Sequence, residues 1–148
     1  MPQPRIRHIA ICVFSHQGKI LVNAFPDAVK QQTLFRPLGG GIEFGEHSAD
    51  AIVREIREEL DLPIHDVRLL GTLESLFTYL GKPGHEFVQV YDAQFSDLRV
   101  YDQCGLEGHE SNGDRIQAQW RDSESLRRDG VLVPEGLHEM LRSLSLLE

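Results

Sequence analysis

The stretch Gly40-Gly41-Ile42-Glu43-Phe44-Gly45-Glu46, then seven residues, then Arg54-Glu55-Ile56-Arg57-Glu58-Glu59-Leu60-Asp61-Leu62, decides how this chain is read. Its second half carries a helical rhythm, expected from about His47 to Leu60. Ala49, Ile52, Val53, Ile56 and Leu60 recur at helical spacing and form one apolar stripe. Leu62-Pro63 stops the helix, because the residue before a proline is pushed out of the helical region. Glu55, Glu58 and Glu59 stand at i, i+3 and i+4, on a second face whose centre lies more than about 90° from the stripe. One side of the helix can therefore pack on a sheet while the other offers three carboxylates to a cleft.

Three like charges on one face destabilise an isolated helix by a few tenths of a kcal/mol per pair. Taken alone they read as a solvated acidic face, balanced by Arg54 and Arg57. The run Gly39-Gly40-Gly41 shifts that reading, since glycine lets bare backbone approach closely whatever the acidic face holds. Hard divalent cations take oxygen ligands, and clustered carboxylates with a backbone carbonyl supply them.

The segment resembles the Nudix box, Gly-x5-Glu-x7-Arg-Glu-U-x-Glu-Glu-x-Gly-U, where U is a bulky aliphatic residue. Gly40, Glu46, Arg54, Glu55, Glu58 and Glu59 fall on its fixed positions, and Ile56 and Leu62 on its aliphatic ones. Asp61 replaces the usual glycine that caps the helix, and Asp tolerates the left-handed conformation better than most residues. The resemblance implies metal ligation by Glu58 and Glu59, with Glu55 a further ligand or the base, and the Gly39 carbonyl as another donor. It implies Mg²⁺ or Mn²⁺ as cofactor, Arg54 and Glu46 as structural support, and Gly40 and Gly41 approaching the substrate. The implied reaction is hydrolysis of a phosphoanhydride in a nucleoside diphosphate linked to a group X. A non-nucleoside diphosphate, or a binding domain without turnover, is the alternative, and the three intact glutamates argue against the latter.

A later loop often adds a ligand or base in this family. Here Glu107, Glu110 and Asp114 are available, Glu110 ranking first, and Glu86 is a further candidate if its strand passes the box helix. Arg36, just before the glycines, can clamp a substrate phosphate in bidentate fashion. Phe35, Phe77 and Tyr79 can stack on a base, although aromatics in strands more often pack a core, as expected of Trp120. Seven histidines show no paired metal-ligand spacing, which disfavours zinc.

The rest of the chain sets the frame. Its 148 residues predict one domain, 1–148. A net charge of −8 repels a polyphosphate backbone, so the expected partner is a small nucleotide rather than a nucleic acid, and messenger-RNA decapping is disfavoured. No apolar run reaches the roughly 18 residues a membrane span needs, and the segment after Met1–His8 is short for an export leader. Cys12 and Cys104 make no disulfide framework, which points to a reducing, cytoplasmic setting, with Cys12 a buried thiol. The resemblance also admits a homodimer, though no residue marks an interface.

Strands are expected at Ile6–Ser15, Ile20–Phe25, Leu34–Leu38, Val67–Leu80, Glu86–Phe95 and Arg115–Trp120. Gly81–Gly84 reads as a turn and Asp97–Gly113 as irregular. Pro134 opens a closing helix carrying Leu137, Met140, Leu141, Leu144 and Leu147. That order predicts an α+β fold, or a mixed sheet with helices on its faces, and the resemblance implies the family's α/β/α sandwich, a mixed sheet with the box helix and the closing helix.

Overall fold

A computed structural model describes residues 3–148; Met1 and Pro2, where the Met1–His8 segment and the expected domain begin, lie outside the described residues. The architecture is the α+β sandwich, with its strands divided between two mixed sheets. The first contains β1 (Arg7–Cys12), β4 (Leu38–Gly41), β5 (Ile64–Tyr79) and β6 (Lys82–Phe95), in the order β4-β1-β6-β5. The second contains β2 (Lys19–Asp27), β3 (Gln32–Arg36), β7 (Gly105–His109), β8 (Arg115–Asp122) and β9 (Val131–Leu132), in the order β7-β8-β2-β3-β9.

The alternation of β1 builds the two halves of the core. Ala10 and Cys12 face α1 (Ser48–Leu60), joining Ile52, Ile56 and Phe95 in one buried cluster. Ile9 and Ile11 face the other way and join Val88, Val90, Phe35 and the helices α2 (Ser123–Asp129) and α3 (Leu137–Ser143). Residues one apart on a strand point to opposite faces, so this single strand feeds both layers.

Helix α1 starts after His47 and ends on Asp61, which takes the left-handed conformation at φ 55° and sends its N–H to the Arg57 carbonyl. Asp therefore serves as the cap in place of glycine. The apolar stripe differs from expectation at two positions. Val53 is 42% exposed, whereas Ala51 is fully buried beside Leu38 of β4. Periodicity measures one face of a helix and does not see that a neighbouring strand also covers its first turn.

Other segments also depart from the sequence reading, among them the strand β9 and the start of β5 at Ile64 rather than Val67. The β5–β6 turn is only Leu80-Gly81, both at positive φ, and Lys82–Gly84 belong to β6. The stretch expected to be irregular contains a 3-10 helix at Leu98–Asp102 and the strand β7. Helix α2 is new, and its N-terminus is held by the Asp122 side chain accepting from the Ser125 N–H. Finally, α3 starts at Leu137 rather than at Pro134 and stops at Ser143, so Leu144 and Leu147 lie past its end. Gly136, at φ 90°, precedes it and absorbs the change of direction. No helix among the described residues is long and apolar enough to cross a membrane.

Candidate active site

The glycine run is a strand rather than a loop, and this places it against α1. As β4 it pairs antiparallel with β1, setting Gly39 opposite Ile11, Gly40 opposite Ala10 and Gly41 opposite Ile9. Gly39 has φ 155°, and a Cβ there would strike the Ala10 carbonyl. A Cβ on Gly40 would lie 2.6 Å from the Glu55 carboxylate. The contact visible at Gly40 is thus with the acidic face itself. Gly41 has open space, and its carbonyl accepts from Arg54 Nη2 at 3.0 Å.

Arg54 ties the loop to the helix. Its Nε and Nη2 donate to the two oxygens of Glu46 at 2.8 and 3.0 Å, a bidentate pair. Its Nη1 donates to Glu55 at 3.0 Å and to Glu58 at 3.4 Å. Glu46 also accepts from the Glu43 N–H at 3.1 Å, which closes the turn before the helix. The Arg54 hydrogen bonds hold the Glu46 carboxyl below the usual carboxylate range, and Glu46 in turn raises the Arg54 guanidinium pKa.

The three glutamates of the box differ in surroundings. The Glu58 side chain is about half exposed, whereas Glu55 is largely covered, at 14% exposed. Among the described residues, nothing hydrogen-bonds to the buried Oε2 of Glu59. Burial, with the charge and hydrogen bond of Glu55 and then the charge of Glu110, pushes the Glu59 carboxyl up to about 8, while Arg36 draws it down. So many negative groups around one buried carboxyl oxygen call for a cation. Among the described residues, no three His, Cys, Asp or Glu side chains converge closely enough to form a ready cage. The set still suits a hard divalent ion of the Mg²⁺ type, which keeps several waters and needs only part of its shell from protein.

Strand β7 brings the late acidic loop to this place. Leu106 and Gly108 are buried, and a Cβ on Gly108 would strike the Glu59 carbonyl. Glu110 continues the same alternation, whereas Glu107 falls on the outward face and pairs with Arg115 at 2.6 Å. Asp114 is held in the hairpin turn by Asn112 at 3.0 Å. Of the three, only Glu110 contributes to the shift at Glu59.

A cleft of about 1080 Å³ opens between the two sheets, and Glu110 and Arg36 link it to Glu59. Glu110 and Asp114 line it together with Arg36, Asn23, Phe25, Phe77, Tyr79, Arg7 and Glu86. Arg36 sits 5.9 Å above the Phe25 ring and beside Asn23 on the neighbouring strand. Phe35 is not in the cleft: it is 1% exposed, and the Arg121 guanidinium stacks over it at 4.5 Å. Trp120 packs against Tyr101 and His16. Glu86 is not against the box helix. Its register partner is Arg7, which places it on the sheet face away from α1. Sequence periodicity missed this because the parity of a strand against its neighbour is invisible until the pairing is known. Asn23 and Phe25 were also missed, since nothing local marks a strand residue as lining a cleft.

The chain is thus an α+β sandwich with a carboxylate-bearing helix laid against a glycine strand. The model of the NUDIX domain matches residues 4–134, and the chain belongs to the Nudix hydrolase family. A relative from Mycobacterium tuberculosis, named NAD-capped RNA hydrolase NudC, is 37% identical over 92 residues, covering 57% of this chain and 29% of that protein. The match thus spans under a third of the relative's length. A Mycobacterium bovis protein of the same name is 36% identical over 92 residues, with the same coverage. Two solved structures share the fold. The solution structure of the E. coli ORF135 protein has TM-score 0.65 at 21% identity, covering 97% of this chain and 91% of that one. A NUDIX hydrolase from Nitrosomonas europaea has TM-score 0.66 at 14% identity, covering 95% and 89%.

Proposed function

We propose that this chain hydrolyses a phosphoanhydride bond in a nucleoside diphosphate linked to a group X, giving a nucleoside monophosphate and phosphate-X. The observation that carries the reading is the buried Oε2 of Glu59, without a hydrogen-bond partner among the described residues and set among Glu55, Glu110 and Arg36. A purely structural carboxylate would be hydrogen-bonded or neutralised by an arginine. The curated relatives are named for a substrate with an NAD cap, a dinucleotide joined through such a bond, which supports the same chemistry.

In this reading Glu55, Glu58 and Glu59, with the Gly39 carbonyl, hold Mg²⁺ or Mn²⁺. Such an ion polarises phosphoryl oxygens and lowers the pKa of bound water. Arg54, clamped by Glu46, fixes the Glu55 carboxylate against Gly40. Arg36 donates to the substrate phosphate from the cleft wall, where a planar fork suits paired oxygens. Glu110 takes the proton of the attacking water, whose oxygen bonds to phosphorus as the bridging P–O bond breaks. The leaving phosphate carries X away. The net charge of −8 favours a small nucleotide over a long nucleic acid.

Two experiments bear on this. A panel of nucleoside diphosphate derivatives with Mg²⁺ and Mn²⁺ is expected to give nucleoside monophosphate, with p-nitrophenyl phosphate essentially untouched. A monoester lacks the second phosphate that completes the ion's shell. Turnover of p-nitrophenyl phosphate equal to that of the best nucleotide would remove the assignment. Single substitutions in the hairpin test the base. Glu110→Gln is expected to lower kcat by roughly 10²-fold or more with KM little changed. Glu107→Gln and Asp114→Asn, whose carboxylates are engaged within the hairpin, should stay within a few-fold of the parent. Wild-type kcat in Glu110→Gln would leave Glu55 as the base.

A further inference from the structure

The far wall of the cleft carries a charge that the hydrolysis step does not use. Glu86 is 7% exposed and lines the cleft, yet it lies on the sheet face opposite the box helix. Its one hydrogen-bond partner among the described residues is Arg7, whose Nη1 donates at 3.3 Å, and the Arg7 side chain is 57% exposed. Around it the same face is apolar, with Ile9, Val88 and Val90 buried. A buried carboxylate with a single long ion pair is a poor stabiliser, because removing its charge from water costs more than that pair returns. Its free acceptor positions face the cleft and call for donors from a ligand.

Strand register arranges the neighbours. Ser75 of β5 lies directly opposite Glu86 of β6, and Arg7 of β1 lies opposite it on the other side. Paired residues point to the same face, and adjacent strands are about 4.8 Å apart. Ser75, Glu86 and Arg7 thus form a row across three strands, roughly 10 Å from end to end, with Glu86 at its centre. Phe25, Phe77 and Tyr79 line the same cleft and supply its aromatic wall.

We propose that Glu86, flanked by Arg7 and Ser75, selects a base with two adjacent N–H donors on one edge, so that this cleft takes guanine nucleotides. A carboxylate is acceptor-only and presents two oxygens side by side. Among the common bases, guanine alone sets a ring N–H next to an exocyclic amine. Arg7, a donor beside the carboxylate, meets the carbonyl that follows them on the same edge. Adenine and cytosine set an acceptor where guanine has its ring N–H, and uracil lacks the amine. The inference rests on the nucleotide reading of the cleft and names its base.

The test is binding of GMP, IMP and AMP to the metal-free protein by calorimetry, beside cleavage of GTP, ITP and ATP with Mg²⁺. IMP differs from GMP only by the missing amine. GMP is expected to bind roughly 10- to 100-fold more tightly than IMP or AMP, the range for hydrogen bonds to a charged acceptor. Glu86→Gln, which turns one acceptor into a donor, should bring the three within a few-fold of one another. Equal affinity for GMP and IMP in the parent protein overturns the proposal, even if the variant fails to fold. So does an adenine preference, or a folded Glu86→Gln that keeps the parent's ranking. Selective GMP binding without cleavage of any triphosphate supports the base site and counts against the hydrolase reading. Cleavage without base preference does the reverse.

Discussion

Glu59→Gln is expected to lower nucleotide hydrolysis by at least about 10²-fold, in line with the loss of other groups that stabilise transition-state charge. The same change should stabilise the metal-free protein above neutral pH. Gln keeps the shape of the side chain and removes the charge that burial, Glu55 and Glu110 oppose. The folded-state carboxyl of Glu59 is raised from an ordinary 4.5 to about 8. Between those values the folded protein holds a proton that the unfolded chain has released, so stability falls as pH rises through that window. The penalty is absent below the ordinary carboxylate range and fully present above about pH 8, on the order of a few kcal/mol. Urea melts of metal-free protein at pH 5, 7 and 9 should show that decline, and Glu59→Gln should flatten it. Adding Mg²⁺ should raise the parent's stability more at pH 9 than at pH 5, because metal and proton compete for the same oxygens. A Glu59→Gln enzyme with parental turnover would falsify the catalytic assignment. A Gln variant much less stable than the parent at pH 9 would instead show that the carboxylate is paired and structural.

Much of this site is written in local spacing. Glu55, Glu58 and Glu59 share a helix face because three and four residues make about one turn, and no tertiary knowledge is needed to see it. The Asp61 cap and the helix limits follow from the same local chemistry. Strand parity is another matter. Glu86 is a candidate from sequence only if it faces the box helix, and it lies on the opposite face, because only the parallel pairing of β1 with β6 decides which way it points. Phe35 looked as available for stacking as Phe77, yet one is core and the other lines the cleft. The glycine run illustrates both cases. Its closeness to the acidic face was readable, but its being an edge strand was not, since glycine has little strand propensity and the pairing with β1 imposes it. Helix α2 escaped because Ser123–Asp129 has too few apolar residues to show a period, and its Asp122 cap is its main signal.

That edge strand yields a pair of substitutions with opposite consequences at adjacent residues. Gly39→Ala should destabilise the fold by roughly 3 kcal/mol, combining overpacking with a backbone conformation that L-residues resist. The new Cβ would strike the Ala10 carbonyl, and that atom belongs to a β1 backbone buried on both sides and unable to move away. Gly40→Ala meets a different obstacle, the carboxylate of Glu55 at 2.6 Å, which is the far end of a flexible side chain. Glu55 can swing aside, so the fold should lose little, about 1 kcal/mol or less. The carboxylate would then leave its place beside Glu59 and its hydrogen bond to Arg54. Activity should fall at least about tenfold, since a misplacement near 1 Å at a reacting site is already costly. Thermal melts and kcat measured on both variants separate the two effects. A stable Gly39→Ala protein would mean that β4 is free to shift on β1. Full activity in Gly40→Ala would mean that Glu55 does its work from another position, and that the close approach of glycine to its carboxylate is only packing.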